Sequence, residues 1–328
     1  PHIFALFVMF FPQLVAGPIE RSGNLLRQLR TPTTVNYDRI RRGLMMMLWG
    51  YFLKMVISDR AAIIVNYVYA NFERYAGLTI AFATIMFAIQ IYCDFGGYSA
   101  IAIGAAQVLG FDLCQNFRQP YFATSVADFW HRWHISLNQW FTNYVYIPLG
   151  GNRKGKLRTY LNLLITMVLG GLWHGAAVRF VLWGALHGVA LAVHKMWLAI
   201  IPWAKAKGED MNPVVRIFSW FITFNIVCLG WLLFRAEDMQ TVQIMLYQIA
   251  NNFNADIIPQ VVLGYKAVLG LIVLGYLMHF IPEKIDEDMM SKVGGAKFWW
   301  QVAMIALTAW CVMQVKSSDI QPFIYFQF

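Results

Sequence analysis

The chain has 328 residues, 59% of them hydrophobic and only 13% charged, with a mean hydropathy of +0.51. Soluble domains carry about a quarter charged residues, so this balance excludes an ordinary soluble fold and points to an integral membrane protein. The net charge of +9 fits basic loops facing an anionic lipid leaflet, and nucleic acid is set aside as a partner.

In chain order, apolar runs approaching the roughly 20 residues that cross hydrocarbon as helix fall at 2–16, 43–57, 78–93, 158–174, 178–200, 214–234, 261–281 and 298–315. The expected fold is all-α, a polytopic helical protein embedded in the lipid bilayer, with one membrane domain over 1–328. The chain opens on Pro1 without an initiator Met, and its first run reads as the tail of a spanning helix. Further N-terminal transmembrane helices are therefore expected to be missing. Between the third and fourth runs, an Ala/Gly-rich stretch at 99–110 and an amphipathic one at 125–147 are expected as short interfacial or re-entrant helices. Gly96 and Gly97 are expected to make a turn, and 58–77 and 235–260 to be loops.

Lys and Arg are unevenly shared between the connections. One alternate set (17–42, 94–158, 201–216 and 282–297) carries 18, whereas the other carries 5. That asymmetry assigns the Arg21 to Arg42 loop to the cytoplasm and His174 to the outer end of its helix. Lys54, Arg179, Arg235 and Lys266 are expected to snorkel from helix ends. Cys93, Cys114, Cys228 and Cys311 stand singly with no Cys-x-x-Cys pair, so neither a disulfide scaffold nor a zinc knuckle is indicated.

His174 ends an apolar run, Leu161 to Trp173. A titratable ring in hydrocarbon is costly unless satisfied, and its ordinary pKa suits proton transfer. His134 stands 40 residues earlier in Asp128-Phe129-Trp130-His131-Arg132-Trp133-His134. Plotted as one helix, 128–143 gathers Asp128, His131, His134, Asn138, Gln139 and Thr142 on one side and the aromatic residues on the other. His131 and His134 have no third ligand nearby, so no metal is expected. His187 and His194, seven apart on one helical face, are expected to pack or to sit at the interface. The run Pro148-Leu149-Gly150-Gly151-Asn152-Arg153-Lys154 breaks helix and leads into a basic patch, either an anchor for the next helix or a contact for an anionic donor.

These stretches, with Gln13 to Ile19, Tyr92 to Ser99, Tyr146 to Arg153, Gly170 to Gly175 and the ending Gln321 to Phe328, closely resemble the membrane-bound O-acyltransferase (MBOAT) family in its bacterial alginate O-acetyltransferase branch. The resemblance implies transfer of an acyl group, acetyl by expectation, from a cytoplasmic thioester such as acetyl-CoA. The acceptor would be a hydroxyl of an extracytoplasmic cell-surface polysaccharide or of a partner acetyltransferase protein. It implies a multi-pass protein of the bacterial inner membrane, with no bound cofactor. His174 matches the family's essential histidine in Trp-His-Gly, and His134 its companion in Arg-Trp-His. Trp133, Asn138, Trp173, Asn152, Arg153 and Asp128 are the residues expected to contact substrate. D-alanyl or other acyl transfer to an envelope polymer is the alternative within the class. A transporter or polysaccharide-export component, with buried histidines relaying protons, is the alternative outside it.

Overall fold

The computed structural model describes residues 1–34, 36–201, 211–256, 258–264, 266–279 and 298–314. Every regular element among them is helical. A helix satisfies its backbone N–H and C=O groups within itself, which a chain in hydrocarbon must do. The described residues fall into two compact units, one taking in 1–66, 86–116 and the chain from 256, the other 67–85 and 117–255. The loop expected at 282–297, most of that at 201–216 and the ending Gln321 to Phe328 lie outside the described residues.

The first unit begins with α1 (His2–Met9), α2 (Ser22–Arg30) and α3 (Tyr37–Tyr51). The run at 2–16 is not one span. A 3-10 turn at Phe11–Gln13 follows α1, and Gln13 Nε2 donates to the Phe7 carbonyl at 2.7 Å. Asn36 starts α3 by accepting from the Arg39 N–H at 3.0 Å, which satisfies one of the open donors of the first turn. A π-helical turn at Phe52–Ser58 then leads into α4 (Asp59–Ala70), so 58–77 is largely helix rather than loop.

α5 (Gly77–Val108) corrects a second expectation, because it runs unbroken through Gly96 and Gly97 and absorbs all but the last two residues of the stretch at 99–110. Gly97 serves close approach instead of a turn. A Cβ on Gly50 would stand 2.4 Å from the Gly97 carbonyl oxygen, and one on Gly43 2.5 Å from that of Gly104. Two glycine pairs, each spaced by seven residues, thus bring α3 and α5 backbone to backbone. Lys54 does not snorkel. Its Nζ lies 2.7 Å from Asp59 Oδ1 and 2.5 Å from Asp94 Oδ1, with Asp94 buried. Phe10, Leu25, Ile103, Ala106 and Leu113 form a buried core in this unit. Its remaining described helices are α12 (Ile258–Gly264), α13 (Lys266–His279) and, numbered next, α14 (Phe298–Gln314).

The second unit carries α6 (Val126–Arg132), α7 (Ile135–Phe141), a π-helical turn at Thr142–Tyr146, α8 (Lys156–His174), α9 (Val178–Ile200), α10 (Pro213–Arg235) and α11 (Met239–Asn251). The single amphipathic helix expected over 125–147 is therefore broken, and its wheel does not hold beyond Arg132. α11 replaces most of the loop expected at 235–260, with Asp238 as its cap, accepting from the Thr241 N–H at 2.7 Å. Of the described helices, α5, α9 and α10 are long and apolar enough to cross a membrane.

α8 and α9 form an antiparallel hairpin through Gly175, Ala176 and Ala177. Gly175 holds φ at +154°, where a side chain is strained. A Cβ on Gly171 would stand 2.1 Å from the Phe180 carbonyl oxygen, and one on Gly184 2.3 Å from that of Met167. Bare backbone on each helix lets the pair close, which sets Phe180 and Trp183 of α9 beside the end of α8.

Candidate active site

The break between α6 and α7 is built from local hydrogen bonds. Ser125 caps α6 by accepting from the Asp128 N–H at 3.1 Å, while Asp128 Oδ2 accepts from the Thr124 N–H at 3.2 Å. Arg132 Nε donates to Asp128 Oδ1 at 2.8 Å, and the Arg118 N–H takes up the Arg132 carbonyl at 2.9 Å. The chain then turns at His134, whose φ of +43° lies in the left-handed region. A non-glycine residue held there costs on the order of 1–3 kcal/mol and persists where its surroundings over-determine it. Asn138 Nδ2 spans the break and donates to the Trp130 carbonyl at 2.7 Å. His134 is left buried, 5% exposed.

His174 is the last residue of α8 and is half-buried. Aromatic rings surround it: Trp173 at 4.9 Å, Phe234 at 5.0 Å and Trp183 at 5.3 Å between centroids, each near edge-to-face, with Phe180 farther at 6.3 Å. A continuous aromatic bed joins the surroundings of His134 and His174: Trp133 meets Trp231 at 4.8 Å, and Trp231 meets Phe234 at 5.8 Å. Such a water-poor bed strengthens any polar interaction made within it.

The residues expected to contact substrate separate into three groups. Trp173 touches His174 and is 54% exposed. Asp128, Asn138 and Trp133 are engaged in the fold: the first two spend polar atoms on the broken helix, and Trp133 is packed among Phe117, Phe129 and Trp231. Asn152 and Arg153 stand at the opposite end of α8. Asn152 Oδ1 accepts from Tyr146 Oη at 2.6 Å and Lys195 Nζ at 2.5 Å, while the Arg153 side chain is exposed. From Lys156 to His174, at 1.5 Å per residue, α8 is roughly 27 Å long, so Asn152 and Arg153 stand well away from His174.

Sequence reasoning missed Lys195, Trp183 and Phe234 here, and assigned His187 to packing or to the interface. His187 is 2% exposed, and a Cβ on Gly230 would stand 2.8 Å from its Nε2. The signal available was Trp183 one turn before His187, on the face shared with His194. Among the described residues, no group of three or more His, Cys, Asp or Glu is arranged to hold a metal ion.

Comparison with known proteins agrees with this architecture. Residues 3–235 match the model of the MBOAT, membrane-bound O-acyltransferase family. The chain is 34% identical over 344 residues to "Probable alginate O-acetylase AlgI" of Pseudomonas putida, covering 99% of this chain and 68% of that protein. It is 42% identical over 237 residues to the protein of the same name from Pseudomonas syringae pv. tomato, covering 72% of this chain and 43% of the relative. It is 38% identical over 240 residues to "Peptidoglycan O-acetyltransferase" of Helicobacter pylori, covering 73% and 44% respectively. The matched part thus ranges from under half to about two thirds of these relatives' lengths. With a family match running from α1 to the end of α10, and a relative aligned along nearly all of it, this chain belongs to the membrane-bound O-acyltransferase family.

Proposed function

We propose that the chain is the acyl-transferring core of a bacterial inner-membrane O-acyltransferase, moving an acetyl group from a cytoplasmic thioester donor, acetyl-CoA, toward an extracytoplasmic hydroxyl. The acceptor hydroxyl belongs to an envelope or secreted polysaccharide, or to a partner transferase that completes the delivery. Relatives named for alginate and peptidoglycan O-acetylation support acetyl as the group carried. The observation that supports the reading is the aromatic bed that runs from Trp133, next to His134, through Trp231 and Phe234 to His174, with His134 held in a strained backbone conformation.

In this reading His174 is the general base. A hydroxyl becomes an adequate nucleophile as its proton leaves in the transition state, an assistance worth about 10²–10⁴-fold. The hydroxyl oxygen attacks the acyl carbonyl carbon, the new C–O bond forms, and the C–S bond breaks. The proton accepted by His174 passes to the departing thiolate. His134 positions the thioester donor against the acceptor hydroxyl. The nucleotide of the donor stays at the basic end of α8, near Arg153, Lys154 and Lys195, while the thin pantetheine arm reaches inward. Both ends of the reaction are then served by a single helix. Trp173, exposed beside His174, borders the path of the acceptor.

The test is His174→Ala in the full-length membrane protein, assayed for acyl transfer from radiolabelled acetyl-CoA to polymer. The expected outcome is loss of transfer by at least 10²-fold at unchanged membrane accumulation. Retained transfer by a well-accumulated variant removes the base. Labelled substrate flux across the membrane without acyl transfer would instead favour a transporter.

A further inference from the structure

Three ring nitrogens in the second unit are fully shielded and have no hydrogen-bond partner: Nε1 of Trp130, Nε1 of Trp183 and Nδ1 of His187. They belong to one triangle. The ring centroids lie 5.6 Å apart for Trp130 and Trp183, 5.2 Å for Trp130 and His187, and 5.1 Å for Trp183 and His187. All three residues are buried, at 8%, 3% and 2% exposure. One buried polar atom without a partner costs about 1–3 kcal/mol. Three in mutual contact are hard to explain as packing, since apolar side chains would fill such a core at no such cost.

The chemistry of the triangle narrows what it takes. An indole N–H only donates, and a neutral imidazole offers one donor and one acceptor. The shared partner must therefore be an acceptor. Every ring seated against the triangle is aromatic: Phe129 lies over His187 at 6.2 Å and 11°, and Trp183 meets Phe234 at 5.6 Å. No cation is among these ring neighbours to balance an anion, so the acceptor is neutral. Trp183 also stands edge-on to His174 at 5.3 Å. Gly230 fixes the imidazole's position, because any side chain there would meet His187 Nε2.

We propose that Trp130, Trp183 and His187 form a subsite for the carbonyl oxygen of the acyl group, seating it beside His174 before transfer. The proposal rests on the acyl-transfer reading above. The three residues hold the donor's reacting end by hydrogen bonds, and the all-aromatic surroundings favour a short, uncharged acyl group over a charged one.

The experiment compares two unreactive donor analogues on the detergent-purified full-length protein. S-(2-oxopropyl)-coenzyme A keeps a carbonyl and S-propyl-coenzyme A lacks one. Binding is read by competition against radiolabelled acetyl-CoA. The ketone is expected to bind about tenfold more tightly than the propyl compound. Trp183→Phe, which keeps a ring and removes the N–H, is expected to erase most of that gap, as is His187→Leu, whereas His187→Asn retains part of it. Equal binding of the two analogues to the unmutated protein overturns the subsite and leaves the donor reading standing, even if both variants fail to fold. A gap that survives both substitutions in folded protein also overturns it. Failure of both analogues to compete, with no acetyl-CoA turnover, removes the donor reading and the subsite together.

Discussion

At the scale of single residues, the group furthest from expectation is Lys54. Its ammonium lies between Asp59 and Asp94, so two carboxylates share one cation beside a π-helical turn. Removing one partner of a buried pair leaves an uncompensated charge, which costs about 3–5 kcal/mol. The three groups do not respond alike. Lys54→Met leaves two facing carboxylates, whereas Asp94→Asn leaves a matched Lys54–Asp59 pair. Lys54→Met is therefore expected to lose most folded protein, and Asp94→Asn to lose little. Thermal melting in detergent, read with membrane accumulation, checks this. The reverse order would show that Asp94, not the shared cation, holds the cluster together. His134 teaches a related lesson. Its importance was legible from a histidine in an aromatic run, but its left-handed backbone was not, because histidine gives no sequence signal of that conformation as glycine does.

At the scale of elements, glycine decides whether helices close, and neighbouring glycines in one helix differ sharply. A Cβ on Gly171 would stand 2.1 Å from a backbone oxygen of α9, yet one on Gly170 meets only the Phe141 ring at 3.9 Å. Gly171→Ala must therefore push α8 from α9, an overpacking cost of about 1–3 kcal/mol or more. Gly170→Ala should be neutral or stabilising, since alanine favours helix by about 1 kcal/mol. Melting of the two variants in detergent tests the hairpin directly, and acyl transfer should fall only in Gly171→Ala, which displaces the rings around His174. The Gly170–Gly171 pair is plain in the sequence, but the sequence alone does not say which of the two meets a neighbouring backbone. Long apolar runs such as those of α9 and α10 were legible because hydrocarbon demands them. The break after Arg132 was not, since a helical wheel averages over a kink that tertiary contacts impose. α4 and α11 were missed because 12 and 13 residues make no run long enough to span.

At the scale of the whole molecule, the uneven distribution of positive charge is the feature that gives the chemistry a direction. Arg153, Lys154, Lys156 and Arg158 crowd the start of α8, and Lys195 of α9 joins Asn152 there. The other end of the same hairpin, at Gly175 to Ala177, carries Arg179 alone within a few residues. Basic residues are retained on the cytoplasmic side during insertion, so the proposed function puts the first end in the cytosol and His174 toward the outer surface. Under the proposed function an acyl group entering along α8 leaves on the acceptor's side, and the charged nucleotide stays at the basic end. This orientation is checked by single cysteines at Lys154 and Ala176 in a chain whose native cysteines are replaced by serine or alanine. A membrane-impermeant maleimide applied to intact spheroplasts should label Ala176→Cys and spare Lys154→Cys, and inside-out vesicles should reverse the pattern. Labelling of both from one side would place the two ends of the hairpin in the same compartment, and a transmembrane route along α8 would be untenable.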